Sequence, residues 1–348
     1  MWFTSDNAGP AAPPVMAAML QANEGYAGSY GADPIMESVR HKVRALFEAP
    51  DAAVYLTATG TSANSLALAT LVQPWSSIYC STNAHIEWDE CGAPEFFTGG
   101  AKLVLIDGEN GTIDPDRLSA RLAEGTQSDV HQVQRGALSL TNATELGAVY
   151  SVAEVARLAS IAKAYGLPVH MDGARFANAI AATGASPAEM TWKSGVDALS
   201  FGGTKNGLLG VEGVIFFDPK KAWEFELRRK RAGHLFSKHR FLSAQMDAYL
   251  TDDLWLELAR NANARAAQLV DGLRARGRSV LYRPDANMVF AQWDRATHER
   301  LMAGGAHYYF WPHTAADDGP DDEVVACRLV ANWSTSEQDV ADFQGLLD

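Results

Sequence analysis

Short apolar runs alternate with helical patterns over the first part of the chain. Residues 54–57, 77–80, 102–107, 137–140, 168–172, 198–201 and 213–218 each read as a strand. Between them, residues 61–72 form an apolar pattern rich in Ala and Leu. Asp114 stands before Pro115 as the N-cap of a further helix, and Gly166 ends a helix over 152–165. Strands that alternate with helices build a mostly parallel sheet. After Pro219 the period lengthens, with helical patterns over 220–231 and about 236–276. Three strand-like runs follow at 287–293, 307–311 and 324–332, then a last helix over 337–346. A polar stretch at 315–322 reads as an exposed loop. The pattern predicts an α/β protein. Its large domain, 1–245, holds a mostly parallel sheet covered by helices on both faces. A smaller C-terminal α+β domain, 246–348, follows, and the N-terminal segment reaches toward it.

Composition narrows the setting. The chain has 348 residues, 47% hydrophobic and 20% charged, which suits a soluble globular protein with a sizeable core. Its formal net charge of -13 repels nucleic acid and anionic lipid, so neither is an expected partner. A small anionic substrate would need a local positive site. Cys80, Cys91 and Cys327 are widely spaced and offer neither a disulfide framework nor a metal-ligand pattern, which favours a reducing cytoplasm and no metal. The first residues are not basic and lead into no apolar stretch, so a secretory signal is not expected. No run approaches the ~18 apolar residues of a membrane helix.

Five places carry candidate chemistry. In His170-Met171-Asp172-Gly173-Ala174-Arg175, an apolar strand delivers Asp172 at its C-terminal end, where ligands of open α/β sheets bind. A buried carboxylate there needs a positive partner, although a helix N-cap explains an Asp equally well. In Ser200-Phe201-Gly202-Gly203-Thr204-Lys205, a strand ends in glycines before a lysine. Desolvation in such a loop makes an amine nucleophilic, whereas most lysines are solvated. Thr59-Gly60-Thr61-Ser62 opens a helix and offers free N–H groups to a phosphate, or is a simple cap. His85 is able to stack on a planar group or move protons, though a lone His is more often structural. Arg328, inside an apolar strand, needs an anion such as a substrate carboxylate unless it lies on an edge facing water.

In this order the pieces resemble the aspartate-aminotransferase fold type of pyridoxal-phosphate enzymes, and more closely the threonine aldolase family. The resemblance runs through Phe3-Thr4-Ser5-Asp6-Asn7, Tyr30-Gly31-Ala32-Asp33-Pro34, Thr59-Gly60-Thr61-Ser62-Ala63-Asn64, His85, the His170–Arg175 string and Lys205. It implies pyridoxal 5'-phosphate as cofactor, with Lys205 carrying it as a Schiff base, Asp172 on the pyridine nitrogen and His85 against the ring. Gly60, Thr61 and Thr204 would seat the phosphate, with Arg175 also at the cofactor. Ser5, Arg175 and Arg328 would surround the substrate carboxylate. Tyr30 would line the site, from a neighbouring subunit, in a dimer or tetramer with shared sites. One of Arg229, Arg231 and Arg240 would add a phosphate contact across subunits.

The implied activity is cleavage of L-threonine, L-allo-threonine or related β-hydroxy-α-amino acids, β-aryl serines included, to glycine and an aldehyde. One departure affects the base. Many threonine aldolases carry Glu-Asn-Thr-His where this chain has Thr141-Asn142-Ala143-Thr144-Glu145, so the second histidine is absent. Lys205, His85 and Asp172 remain the catalytic candidates, with His85 the first candidate base and Asp89 a weaker replacement. Another reaction on the same cofactor, β-elimination or transamination, is the nearest alternative. A scaffold that lost its cofactor is disfavoured by the intact Lys205, Asp172 and Arg175. A nicotinamide dehydrogenase is disfavoured because no GxGxxG follows an early strand.

Overall fold

A computed structural model describes residues 1–124, 129–312 and 318–348. All seven strands expected in the first part are present. They are β1 (Ala53–Thr57), β2 (Ser76–Ser81), β3 (Lys102–Ile106), β4 (Gln134–Thr141), β5 (Val169–Gly173), β6 (Ala198–Phe201) and β7 (Glu212–Phe216). They form one sheet in the order β1-β7-β6-β5-β4-β2-β3. Only β7 is reversed, pairing antiparallel with both β1 and β6.

Side-chain alternation along these strands loads both faces. Val54, Leu56, Leu138, Leu140, Met171, Leu199 and Ile215 enter one apolar cluster with Val39, Val155 and Phe176 from helices. Their neighbours Ala53, Tyr55, Ala198, Val214 and Phe216 point the other way, onto Ala63, Leu66 and Ala67 of the helix Gly60–Leu71. The sheet is therefore covered on both faces, and its ligand-accessible rim is the strand ends.

The second sheet is antiparallel, in the order β10-β11-β9-β8. Its strands are β8 (Ser279–Val280), β9 (Met288–Asp294), β10 (Tyr309–Phe310) and β11 (Val324–Val330). With two residues, β8 is too short to leave a periodic signal. The helix expected over about 236–276 is in fact two, Arg240–Tyr249 and Leu254–Ala275. Asp252 (φ 51) and Asp253 (φ 55) take left-handed backbone between them, which interrupts a right-handed helix. The helix Leu254–Ala275 serves both cores. Trp255, Leu258 and Ala259 pack under the large sheet, while Ala266, Leu269, Val270 and Leu273 pack under the small one. The N-terminal segment joins the small sheet: Phe3 is buried in its core, its N–H donates to His307 O at 2.7 Å, and its carbonyl accepts from Val330 N at 2.9 Å. Of the expected polar loop at 315–322, residues 318–322 are described and exposed; the rest lies outside the described residues.

Candidate active site

Asp172 occupies the end of β5 and is 3% exposed. Its Oδ1 accepts from Ala174 N and its Oδ2 from Asn64 Nδ2, each at 2.9 Å. The bond to Ala174 is the local loop bond that a capping aspartate would make. The bond to Asn64, 108 positions away, is a tertiary commitment.

The loop after β6 runs beside the loop after β5. Gly202 N donates to Gly173 O at 2.9 Å. A Cβ on Gly202 would lie 2.2 Å from Ala174 O, so only glycine permits this approach. Three residues later the chain presents Lys205. Its charge is felt by Asp6, His85 and Glu212. Glu212 opens β7. Because that strand is reversed, its first residue lands at the rim where the parallel strands end, opposite Thr57 in the register. The Glu212 carboxylate is buried, accepts from Gly203 N at 2.7 Å, and is pushed up to about 7 chiefly by burial.

Facing Lys205 is the start of the helix Gly60–Leu71. Thr59 caps it, its hydroxyl accepting from Ser62 N at 3.2 Å. The first N–H groups of a helix have no intrahelical acceptor and carry positive potential. Beyond its own helix and chain neighbours, open space lies where a Gly60 Cβ would be. Gly60, Thr61, Asn64, His85, Asp172, Thr204 and Lys205 line one cavity of about 250 Å³, together with Glu90 and Glu212.

His85 begins a short helical turn, His85–Trp88, beyond β2. Its Nδ1 lies 2.8 Å from Glu90 Oε1, and Asn64 Nδ2 donates to the same oxygen at 2.9 Å. Burial opposes charge on the ring, but the bond to Glu90 and the carboxylates of Glu145 and Asp172 outweigh it, with Lys205 opposing them. The net effect raises the His85 pKa. Asp89, the weaker base candidate, is exposed and is not among the residues lining the cavity.

The remaining expected residues divide. Arg175 is buried in a two-point pair with Asp6, Nε to Oδ2 at 2.7 Å and Nη2 to Oδ1 at 3.0 Å. Arg328 lies in an interior strand of the small sheet, which removes the edge-strand explanation. It donates from Nη2 to Thr4 O at 3.3 Å, and its buried Nε has no partner among the described residues. Ser5 sits between Thr4 and Asp6, its hydroxyl accepting from Asn7 N at 3.2 Å. Tyr30 is not brought to the cavity within one chain. It is 46% exposed and stacks under Lys230. Arg229 is buried against Leu56 O and the Tyr55 ring, Arg231 lines a separate groove with Phe96 and Phe97, and Arg240 donates to Gly25 O. Thr144, where the related histidine would stand, is a turn pin. Its hydroxyl donates to Asn110 O at 2.8 Å and accepts from Ala148 N at 3.1 Å.

Sequence reasoning missed Asn64 as a hydrogen-bond hub, Glu90, Glu212 and Asp6. Asn64 and Asp6 stood inside quoted strings, yet their partners are 108 and 169 positions away.

Comparison with known proteins fits this geometry. Residues 3–296 match the model of the beta-eliminating lyase family. The low specificity L-threonine aldolase of Pseudomonas aeruginosa is 42% identical over 98% of this chain and 95% of its own length. That of a Pseudomonas strain is 41% identical over the same shares. A threonine aldolase structure from Leishmania major superposes with a TM-score of 0.91 at 25% identity, over 99% of this chain and 98% of the other. The chain belongs to the beta-eliminating lyase family and, within it, to the low specificity L-threonine aldolases.

Proposed function

We propose that this chain binds pyridoxal 5'-phosphate and cleaves L-threonine, L-allo-threonine and related β-hydroxy-α-amino acids, β-aryl serines included, to glycine and an aldehyde. The observation that carries the reading is one cavity lined by Asp172, Lys205 and the Gly60–Thr61 helix start. Those three groups match the three polar parts of the cofactor. A carboxylate suits a pyridinium nitrogen, a primary amine suits an aldehyde, and helix N–H groups suit a phosphate. The open space beside Gly60 fits as well, since a side chain there would fill the phosphate seat.

When bound, the cofactor supplies an aldehyde for amine condensation and a ring that spreads negative charge from the substrate's Cα. The protein's own groups then have distinct tasks. Asp172 would keep the ring nitrogen protonated, and Thr204 would join Gly60 and Thr61 at the phosphate. Lys205 would hold the aldehyde until the substrate amine displaces it. His85 would lie against the ring and accept the proton of the β-hydroxyl. Taking that proton would let the Cβ–OH become the carbonyl of the departing aldehyde, with the Cα–Cβ electron pair left to the half of the substrate that becomes glycine. A proton returned to Cα, and the return of Lys205 in place of the substrate amine, would complete and release glycine. Arg328, with its unsatisfied Nε, would grip the carboxylate beside Ser5 and turn the scissile bond perpendicular to the ring. Arg175, already paired with Asp6, would act at that end of the site through its remaining donors.

β-Elimination on the same groups is the second reading, favoured by the description of the matching family. Incubation of the protein and added cofactor with L-threonine, L-allo-threonine or L-phenylserine is expected to release glycine and aldehyde. Pyruvate from L-serine with no aldehyde from any of the three would overturn the aldolase reading. Lys205→Ala is expected to lose the visible absorbance of the bound cofactor.

The assembly belongs to the same proposal. Tyr30 is exposed on the surface, as a residue completing a neighbour's site would be, which supports a homodimer or tetramer. Among the described residues no helix is long and apolar enough to cross a membrane. The free thiols of Cys80, Cys91 and Cys327 suit a reducing cytoplasm.

A further inference from the structure

A buried carboxylate must be compensated, or it raises the energy of the fold. Glu90 is such a group. Its side chain is 0% exposed, against 28% for His85. Burial and the nearby Asp172 carboxylate push its pKa up, while His85 and Asn64 hydrogen bonds work against that. Its Oε1 takes both donors, His85 Nδ1 at 2.8 Å and Asn64 Nδ2 at 2.9 Å. Oε2 has no partner among the described residues. The other N–H of the same Asn64 amide reaches Asp172 Oδ2 at 2.9 Å. A hydrogen-bonded line thus runs from His85 through Glu90 and Asn64 to Asp172. The chain turns directly after Glu90, with left-handed backbone at Cys91 (φ 51) and Gly92 (φ 70).

The consequence concerns the imidazole's two nitrogens. In its ionised form Glu90 only accepts, so the Nδ1 of His85 donates to it. The neutral ring then carries its proton on Nδ1 and its lone pair on Nε2, at the opposite edge. Without Glu90 nothing at Nδ1 would choose between tautomers, and the one protonated on Nε2 cannot accept a proton there. The role gains weight because Thr144 leaves the site with no second histidine, and Thr144 is itself tied into a turn.

We propose that Glu90 is a positioning residue that makes His85 a base, by fixing the tautomer with a free Nε2 and by tying the ring's orientation to Asp172 through Asn64. The proposal rests on the aldolase reading for what the base does, but not for the tautomer itself.

The test separates the two. In ¹⁵N-histidine-labelled, cofactor-free protein, His85 is expected to show the Nδ1-protonated neutral tautomer. In Glu90→Ala that preference is lost. Glu90→Gln keeps an acceptor oxygen but no charge, so the tautomer is retained while the His85 pKa falls by about one unit. The groups facing His85 from the surrounding elements, Glu145, Asp172 and Lys205, are unchanged in these variants. In the loaded enzyme, Glu90→Ala is expected to lower kcat for aldehyde release on the order of 10- to 100-fold with KM changed far less. Glu90→Gln is expected to move the acid limb of the kcat profile to lower pH. A wild-type His85 protonated on Nε2 overturns the proposal, as does an Ala variant with unaltered tautomer and kcat. Should Glu90→Ala fail to fold, the wild-type tautomer still decides, and loss of the Nδ1-protonated form in Glu90→Gln, which keeps the acceptor, also overturns it. If the wild type releases no aldehyde at all, the aldolase reading fails while the tautomer measurement still decides the role of Glu90.

Discussion

Arg175 and Asp6 form a buried two-point ion pair across 169 positions of sequence, with side chains 7% and 1% exposed. Asn287 Nδ2 adds a third donor to the Asp6 carboxylate, reaching Oδ2 at 3.1 Å. The pair ties the N-terminal segment to the loop that carries Asp172. Removing one partner leaves an uncompensated buried charge, which typically costs about 3–5 kcal/mol. Asp6→Ala is therefore expected to lower stability by that order in urea melts, and Asp6→Asn by less. The pH dependence follows from the direction of the shift. Burial alone would raise the Asp6 pKa, but Arg175 and Lys205 outweigh it and hold it low. Its stabilising contribution is fully present above about pH 3.9, the unfolded value, and is lost as pH falls from there through the folded value.

Gly202 decides how close the Asp172 and Lys205 loops come. In Gly202→Ala the new methyl would meet the Ala174 carbonyl, which is backbone and cannot rotate away. Stability is expected to fall by about 1–3 kcal/mol. Cofactor affinity, followed by fluorescence titration, should fall more than 10-fold because the loops separate. An unchanged affinity would show that the spacing does not matter.

Glu212 gives the cofactor-free protein a distinctive loss of stability between acid and neutral pH. Its pKa is raised to about 7 by burial, so the folded state favours its protonated form. The stability this contributes is complete below the unfolded value, about 4.3, and declines as pH rises through about 7. The loss is on the order of 3 kcal/mol. Glu212→Gln is expected to flatten the melting temperature between pH 5 and 8, measured by calorimetry. A wild-type profile already flat in that window would contradict the assignment.

Glu145 lies in the turn pinned by Thr144; its charge helps to raise the His85 pKa, and at Arg328, whose pKa burial holds low, it works against that lowering. Glu145→Gln should shift the acid limb of kcat/KM about half a unit or more toward lower pH. It should also improve binding of the substrate carboxylate, because a competing anion near Arg328 is gone. A higher KM for L-threonine in this variant would instead mean that Glu145 contacts the substrate.

Much of this molecule was legible because its signals are local. A strand of four to eight residues shows its alternation or apolar run within itself, and all seven strands of the large sheet were anticipated. Asp172, Lys205, His85 and Gly60 were also legible, since each sits in a short string at a strand end or helix start, and the structure brings them to one cavity. The direction of β7 was not, because apolar periodicity is the same for either orientation. Yet that reversal delivers Glu212 beside Lys205. Nor was the break at Asp252 and Asp253, where two polar residues fit an exposed helical face as well as a left-handed turn.

The chain by itself therefore determined which segments become strands and helices, and which residue types arrive at the rim of the sheet. Periodicity and glycine placement act over a few residues and need no partner. Only the tertiary structure decided what those residues do to one another. Arg175 is engaged by Asp6, Thr144 is tied into a turn, and His85 is joined to Asp172 through Glu90 and Asn64. Hydrogen bonds and charges act over a few ångströms of space, and separation along the chain carries almost no information about that distance.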